Sequence, residues 1–149
     1  MFPWKKILYL LTAGLAGSLM AVQGTLNALA GKITGLLPTT LAVHILGTAT
    51  AGLLLLVFPT ADLLKKIPSV PLYAWLGGPI GVFIIYGVAV TIPRLGVGVT
   101  TTGIIFFQLL TAYFIDHFGL LGREHLPFTW LKLIGIILMV GGSYLLLKK

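Results

Sequence analysis

The sequence predicts an all-α integral membrane protein, with five transmembrane helices in a single transmembrane domain over residues 1–149. Its residues are 58% hydrophobic and 9% charged, and the mean hydropathy is +1.07. A soluble domain is closer to half apolar and a quarter charged, and a chain of this length could not bury so much apolar surface. The apolar runs are continuous over about 20 residues instead of alternating, which favours helices over the strands of a β-barrel.

The predicted spans cover about residues 7–30, 38–58, 72–92, 95–115 and 127–147. The first is longer than the ~30 Å hydrocarbon layer requires at about 1.5 Å per residue, so it is expected to tilt or to loosen near Gly24. Small residues recur along it at steps of three and four, and they predict a seam at which another helix packs closely: Gly17, Ala21, Gly24, Ala28 and Gly31.

Prolines and glycines delimit the next spans. Pro38 suits the first turn of the second helix and Pro59 its end, because proline lacks the amide proton that a helix interior needs. Pro93 is predicted to stop the third helix. The run Gly77-Gly78-Pro79 is predicted to kink that helix near its start.

Tryptophans mark one membrane face. Trp4, Trp75 and Trp130 stand at the starts of spans one, three and five, and tryptophan prefers the interface. Six of the ten lysines and arginines fall on that same face, so the positive-inside rule only weakly places the N-terminus in the cytoplasm. Two interpretations stay open: one orientation, with a monomer or a parallel dimer, or both orientations, with an antiparallel homodimer around a midplane site.

Several function classes find no support in the sequence. It has no cysteine, no glycine-rich phosphate loop, no nucleophile elbow and no metal-spaced cluster, so neither an enzyme nor a cofactor or metal site is predicted. The basic residues lie at the ends of apolar runs and form no stripe with aromatics, which argues against nucleic acid. The expected partners are the lipid bilayer, a second copy of the chain and a small-molecule substrate.

Polar residues at mid-span are the candidates for a binding site. Gln23 and Asn27 lie one turn apart on one helix face, and together with Gln108 they are predicted to contact a substrate, with His44 and Tyr86 contributing. The alternative is that these groups form interhelical hydrogen bonds worth about 1 kcal/mol each. His44 is more simply a helix contact than a metal ligand, although histidine titrates near neutrality and a proton carrier stays open.

Arg94 and Asp116 are predicted to form an intersubunit ion pair. They stand 22 positions apart, roughly 33 Å along a helix, so they cannot pair within one chain. In an antiparallel dimer, Arg94 of one copy and Asp116 of the other lie on the same membrane face. The simpler alternative is that both are unpaired interfacial charges.

Three sequence patterns resemble those of a known family. They are Gln-Gly-Thr-Leu-Asn at 23–27, Pro-Arg-Leu-Gly at 93–96, and Gln108 followed by Ile-Asp-His-Phe-Gly at 115–119. Together with the glycine-rich last span, they are similar to the half-size, five-helix YdcZ-like branch of the drug/metabolite transporter superfamily. The resemblance implies one superfamily-type repeat in the bacterial inner membrane, assembled as a dual-topology antiparallel homodimer.

The resemblance also implies secondary transport of a small molecule by alternating access. The first span has no glutamate, unlike that of the small multidrug exporters, so their proton–cation exchange does not carry over and a neutral or weakly polar solute is expected. Two other functions stay open: a non-transporting assembly or structural subunit, whose polar groups only join helices, and a lipid flippase or scramblase.

Overall fold

The computed structural model describes residues 3–58 and 63–147, and these segments contain helices and no strand. The α-helices are α1 (Pro3–Thr34), α2 (Leu36–Val57), α3 (Leu63–Lys66), α4 (Gly77–Leu95), α5 (Val97–Phe118) and α6 (Trp130–Leu147). Short 3-10 helices cover Ile67–Ser69, Leu72–Leu76 and Leu120–Gly122. The predicted all-α class is confirmed for this part of the chain, whereas Pro59, the predicted end of the second span, lies outside the described residues.

Every predicted span coincides with an apolar helix. Within the described residues, four helical stretches are long and apolar enough to cross a membrane, judged by length and composition: Trp4–Thr34, Leu36–Val57, Leu72–Leu95 and Val97–Phe118. The fifth apolar helix, Trp130–Leu146 in its fully described part, is shorter. The first helix begins before the predicted span and extends beyond it, which gives it a length of about 48 Å over its 32 residues.

The prediction that Pro93 stops the third span is wrong. The helix α4 continues through Pro93 to Leu95. A proline near a helix end removes a single hydrogen bond, and this loss is tolerated where the helix finishes within one turn. Gly96 makes the break instead, with φ 84°. The predicted kink at Gly77 takes the form of a change from the 3-10 helix to α4, with Pro79 in the first turn, where its missing amide proton costs nothing.

Single glycines join two pairs of consecutive helices. Gly35 separates α1 from α2 with φ 90°, and Gly96 separates α4 from α5 with φ 84°. Each glycine carbonyl accepts the amide of the residue four positions on, Thr39 at 3.1 Å and Thr100 at 3.2 Å. The sequence around both glycines follows one pattern, Gly-x-x-x-Thr-Thr, at 35–40 and at 96–101.

Contacts divide the chain into two compact units, Met1–Arg94 and Leu95–Lys149. In the first unit α1 packs along α2 and meets side chains of α4, and in the second α5 packs along α6. Among the described residues only two hydrophobic side chains are buried, Ala28 and Ala89. Most of the apolar surface of each unit is therefore left for lipid or another protein to cover, and the prediction of one transmembrane domain stays a prediction.

The second half of the small-residue seam of α1 packs closely against neighbouring residues. Gly24, Ala28 and Gly31 are buried, and a Cβ atom on Gly24 would lie 2.8 Å from Cγ1 of Val88 and 3.2 Å from Cδ1 of Ile92, both on α4. Gly31 makes the same kind of approach to Leu36. A Cβ atom added to Gly17, in the first half, would meet nothing within 4 Å. Close packing of α1 is thus concentrated between Gly24 and Gly31.

Replacing Gly24 with leucine is expected to destabilise the first unit by about 1–3 kcal/mol, because the side chain would overlap Val88 and force α1 and α4 apart. The matched control is Gly17→Leu on the same helix, where no neighbour obstructs the new side chain. Thermal unfolding of the detergent-solubilised protein measures both. Equal midpoints for the two variants would show that the approach at Gly24 does not stabilise the fold.

Candidate functional site

Asn27 is the predicted site residue that the fold buries. It lies on α1 between the close contacts of Gly24 and Gly31 and is 6% exposed. Within the described part of the chain its side-chain amide has no hydrogen-bond partner. The amide atoms themselves still reach the surface, since the one fully buried side-chain oxygen or nitrogen without a partner among the described residues is Oγ1 of Thr100. Asn27 therefore retains unused capacity for hydrogen bonding in the most tightly packed part of α1.

The other predicted amides are exposed. Gln23 lies one turn before Asn27 on α1, and Gln108 lies on α5 in the second unit. Tyr86, on α4, is 37% exposed. None of the three side chains forms a hydrogen bond with a described residue. The structure thus places Gln23 beside Asn27 along one helix and leaves each of these polar groups available to a partner or solute.

A groove between α2 and α4 contains His44. Its volume is about 670 Å³, and its walls are mainly apolar, with Leu37, Pro38 and Leu41 from α2 and Val82 from α4. His44 lines the groove, and none of the other four predicted site residues does. The sequence therefore identified one residue of this groove without indicating the groove itself.

One hydrogen bond of His44 indicates its tautomer. Its Nδ1 lies 2.9 Å from the carbonyl oxygen of Thr40, one turn earlier, and a carbonyl only accepts, so Nδ1 carries the proton and donates. In the neutral ring Nε2 is then an acceptor with a free lone pair. This atom faces α4, where a Cβ on Gly81 would stand 3.5 Å from it. His44 is therefore attached to its own helix by one nitrogen and presents the other to the groove wall.

Hydroxyl groups near the two glycine joints differ in their partners. Thr39 and Thr34 share a 2.7 Å hydrogen bond between their hydroxyls, across the joint at Gly35. At the equivalent position after Gly96, Thr100 is 6% exposed and its hydroxyl has no partner among the described residues. The residue before Gly96 is Leu95, which has no hydroxyl to offer. The second joint thus lacks the side-chain hydrogen bond that the first one has.

The segment after α5 is held by the residues of the Ile-Asp-His-Phe-Gly pattern. The Asp116 carbonyl accepts the amide of Leu126 at 2.8 Å, and Nδ1 of His117 accepts the amide of Phe128 at 3.2 Å. Gly119 ends α5 in the left-handed conformation, with φ 60°. These contacts turn the chain back toward α6, so the pattern has a structural role that its sequence did not reveal.

Aromatic and basic side chains pack around this turn. The rings of His117 and His125 lie 5.7 Å apart between centroids, and those of Tyr113 and Phe128 lie 6.1 Å apart. The ammonium of Lys132 lies 5.5 Å from the ring centre of Tyr113. No group of three or more His, Cys, Asp or Glu side chains that could hold a metal ion is found among the described residues.

Arg94 and Asp116 have no ion-pair partner within the described residues. Arg94 is exposed in the last turn of α4, and Asp116 is partly buried in the last turn of α5. Their predicted pairing across a dimer stays a prediction.

Comparison with known proteins identifies the family. The sequence matches the family model described as "Putative inner membrane exporter, YdcZ" over residues 8–145. The chain belongs to this family. Neither a curated protein nor a solved structure shows significant similarity to it. The YdcZ-like resemblance and the inner-membrane location are thereby confirmed, and the family is one of membrane transporters rather than enzymes.

The three patterns that carry the YdcZ resemblance each contain a glycine with a conformational or packing role. Gly24 permits the approach of α4, Gly96 breaks the chain between α4 and α5, and Gly119 ends α5. None of these roles follows from a chemical motif. The repeated Gly-x-x-x-Thr-Thr pattern was the signal that would have revealed the two joints.

Replacing Gly119 with alanine is expected to lower stability for two reasons. A left-handed backbone costs a non-glycine residue about 1–2 kcal/mol, and the new Cβ would lie 3.3 Å from the Arg123 carbonyl oxygen and 3.4 Å from the His125 amide nitrogen. Gly122→Ala is the control, since Gly122 has φ 77° but nothing within 4 Å. Thermal unfolding in detergent should show the larger loss for Gly119→Ala. Equal losses would mean that crowding at the turn has no energetic effect.

Proposed function

We propose that this YdcZ-family chain is a secondary exporter of a small, uncharged solute and works as a dual-topology antiparallel homodimer by alternating access. Family membership supplies the transporter class. The observation that carries the proposal is Asn27, a residue that is 6% exposed and whose side-chain amide has no partner among the described residues. A polar group in a membrane helix that has no partner in its own chain is a candidate for contact with a solute, because polar groups there are costly unless satisfied.

The binding site of this proposal consists of Gln23, Asn27 and Gln108, with His44 and Tyr86 as further contacts. Amides offer both donors and acceptors without charge, so they suit an uncharged polar solute. No aspartate or glutamate lies in the middle of a predicted span, which disfavours a cationic substrate held by a carboxylate. These features support a neutral or weakly polar solute.

Two observations support assembly with a second, inverted copy. Lysine and arginine are nearly balanced between the two predicted faces, which lets a chain insert either way. Each described unit also has very few buried hydrophobic side chains of its own. A second copy would supply the other half of an inverted-repeat architecture, in which the substrate site forms between the two halves.

Replacing Asn27 with alanine is expected to slow transport about tenfold, the effect of losing roughly 1.4 kcal/mol of hydrogen bonding to the solute. Gln108→Ala should act in the same direction. Thr25→Ala is the control on α1, since the Thr25 hydroxyl already donates to the Ala21 carbonyl at 2.9 Å. The measurement is release of a radiolabelled nucleoside, sugar alcohol and small amide from proteoliposomes.

The same experiment separates the alternatives. If the wild-type protein releases none of these solutes but equilibrates a fluorescent phospholipid between leaflets, the flippase or scramblase alternative replaces the exporter. Full release by both Asn27→Ala and Gln108→Ala would reject the site while leaving transport in place.

Charge reversal tests the antiparallel dimer. Arg94→Glu or Asp116→Arg alone is expected to weaken dimerisation by up to about fivefold, as exposed ion pairs typically contribute, and the double variant is expected to restore it. Arg123→Glu, at an exposed position in the segment between α5 and α6, is the control. Dimer fractions are measured by native mass spectrometry over a dilution series. A double variant no better than either single one would exclude the Arg94–Asp116 pair.

A further inference from the structure

We propose that the groove between α2 and α4 binds a weakly polar solute, apolar except for one group that donates a hydrogen bond to Nε2 of His44. As a statement about what the protein exports, this rests on the transport function proposed above. As a binding site, it stands on the groove alone and is measured without transport.

The polar groups of the groove are acceptors. The proton on Nδ1 of His44 is used by the Thr40 carbonyl, which leaves Nε2 of the neutral ring with a lone pair and no partner among the described residues. The Thr40 hydroxyl, also in the groove lining, donates to the Leu36 carbonyl at 2.8 Å and so has only lone pairs left. A solute that fits must therefore bring the donor.

The other residues that line the groove are apolar, so they favour a solute that is apolar apart from its donor group. Leu37, Pro38, Leu41 and Val82 surround the two polar groups with hydrocarbon, and His44 is the single titratable residue among those that line the groove. Within the described chain no lysine or arginine lines it to balance an anion, and no carboxylate lines it to balance a cation. An uncharged, mostly apolar molecule with one N–H or O–H group matches this surface.

Gly81 of α4 lies opposite the acceptor. An added Cβ at this position would stand 3.5 Å from Nε2, in ordinary van der Waals contact, and would meet nothing else within 4 Å. Gly81→Ala therefore places a methyl group against the lone pair without a clash. Gly87→Ala is the matched control on the same helix, where an added Cβ meets nothing within 4 Å.

The experiment compares two probes that differ in one donor, indole and N-methylindole. Equilibrium dialysis against the full chain in lipid nanodiscs, with empty nanodiscs as reference, gives the saturable binding of each. We expect the wild type to prefer indole about fivefold, as one neutral hydrogen bond typically contributes. Gly81→Ala and His44→Phe should abolish that preference, and Gly87→Ala should keep it.

Three results would overturn the proposal: equal saturable binding of the two probes to the wild type, an unchanged preference in Gly81→Ala, or a dimer fraction that changes in Gly81→Ala while probe binding does not. The last result would assign the groove to a second copy of the chain. Saturable, donor-dependent binding by a protein that releases no solute from proteoliposomes would support the groove and reject the exporter. Release of solute by a protein that binds indole and N-methylindole equally would support the exporter and reject the groove.

Discussion

The hydrocarbon layer imposes the constraint on which this structure depends, because a peptide group there finds no water and must be satisfied within its own helix. The described chain meets it with long helices, and at two of their connections a single glycine separates one helix from the next. At Gly35 and Gly96 one residue with positive φ redirects the chain, and its carbonyl still accepts the amide four positions on. Any other residue there would be strained, since the left-handed region disfavours a Cβ atom.

The bilayer also determines where the helices pack closely against one another. Lipid tails are as apolar as leucine, so helices in a bilayer gain little from burying large side chains and associate where small residues permit contact. Gly24 lets α1 meet Val88 and Ile92 of α4, and Ala28 is one of the few buried hydrophobic residues of the described chain. Asn27 lies in this same stretch, so the tightest packing of α1 surrounds its most polar buried group.

Eight serine and threonine hydroxyl groups of the described residues donate to carbonyls of their own helices. The hydroxyls of Thr25, Thr91 and Thr102 donate to carbonyls three or four positions earlier, which removes their need for another partner. His117 likewise uses Nδ1 to hold the amide of Phe128. The amide of Asn27, Nε2 of His44 and the hydroxyl of Thr100 have no such partner in the described chain.

Hydropathy, span length and the small-residue seam were readable from the sequence, because each depends on residues close together in the chain. The prediction at Pro93 was wrong, since the sequence shows a missing amide proton but not that α4 tolerates its loss and continues to Leu95. The polar residues at mid-span were predicted, but which groups on other helices lie beside them was not, because those contacts join positions distant in the sequence. Gly81 faces His44 across 37 positions and Phe128 meets His117 across 11. Only the packing of one helix against another decides which lone pairs are used and which remain for a solute.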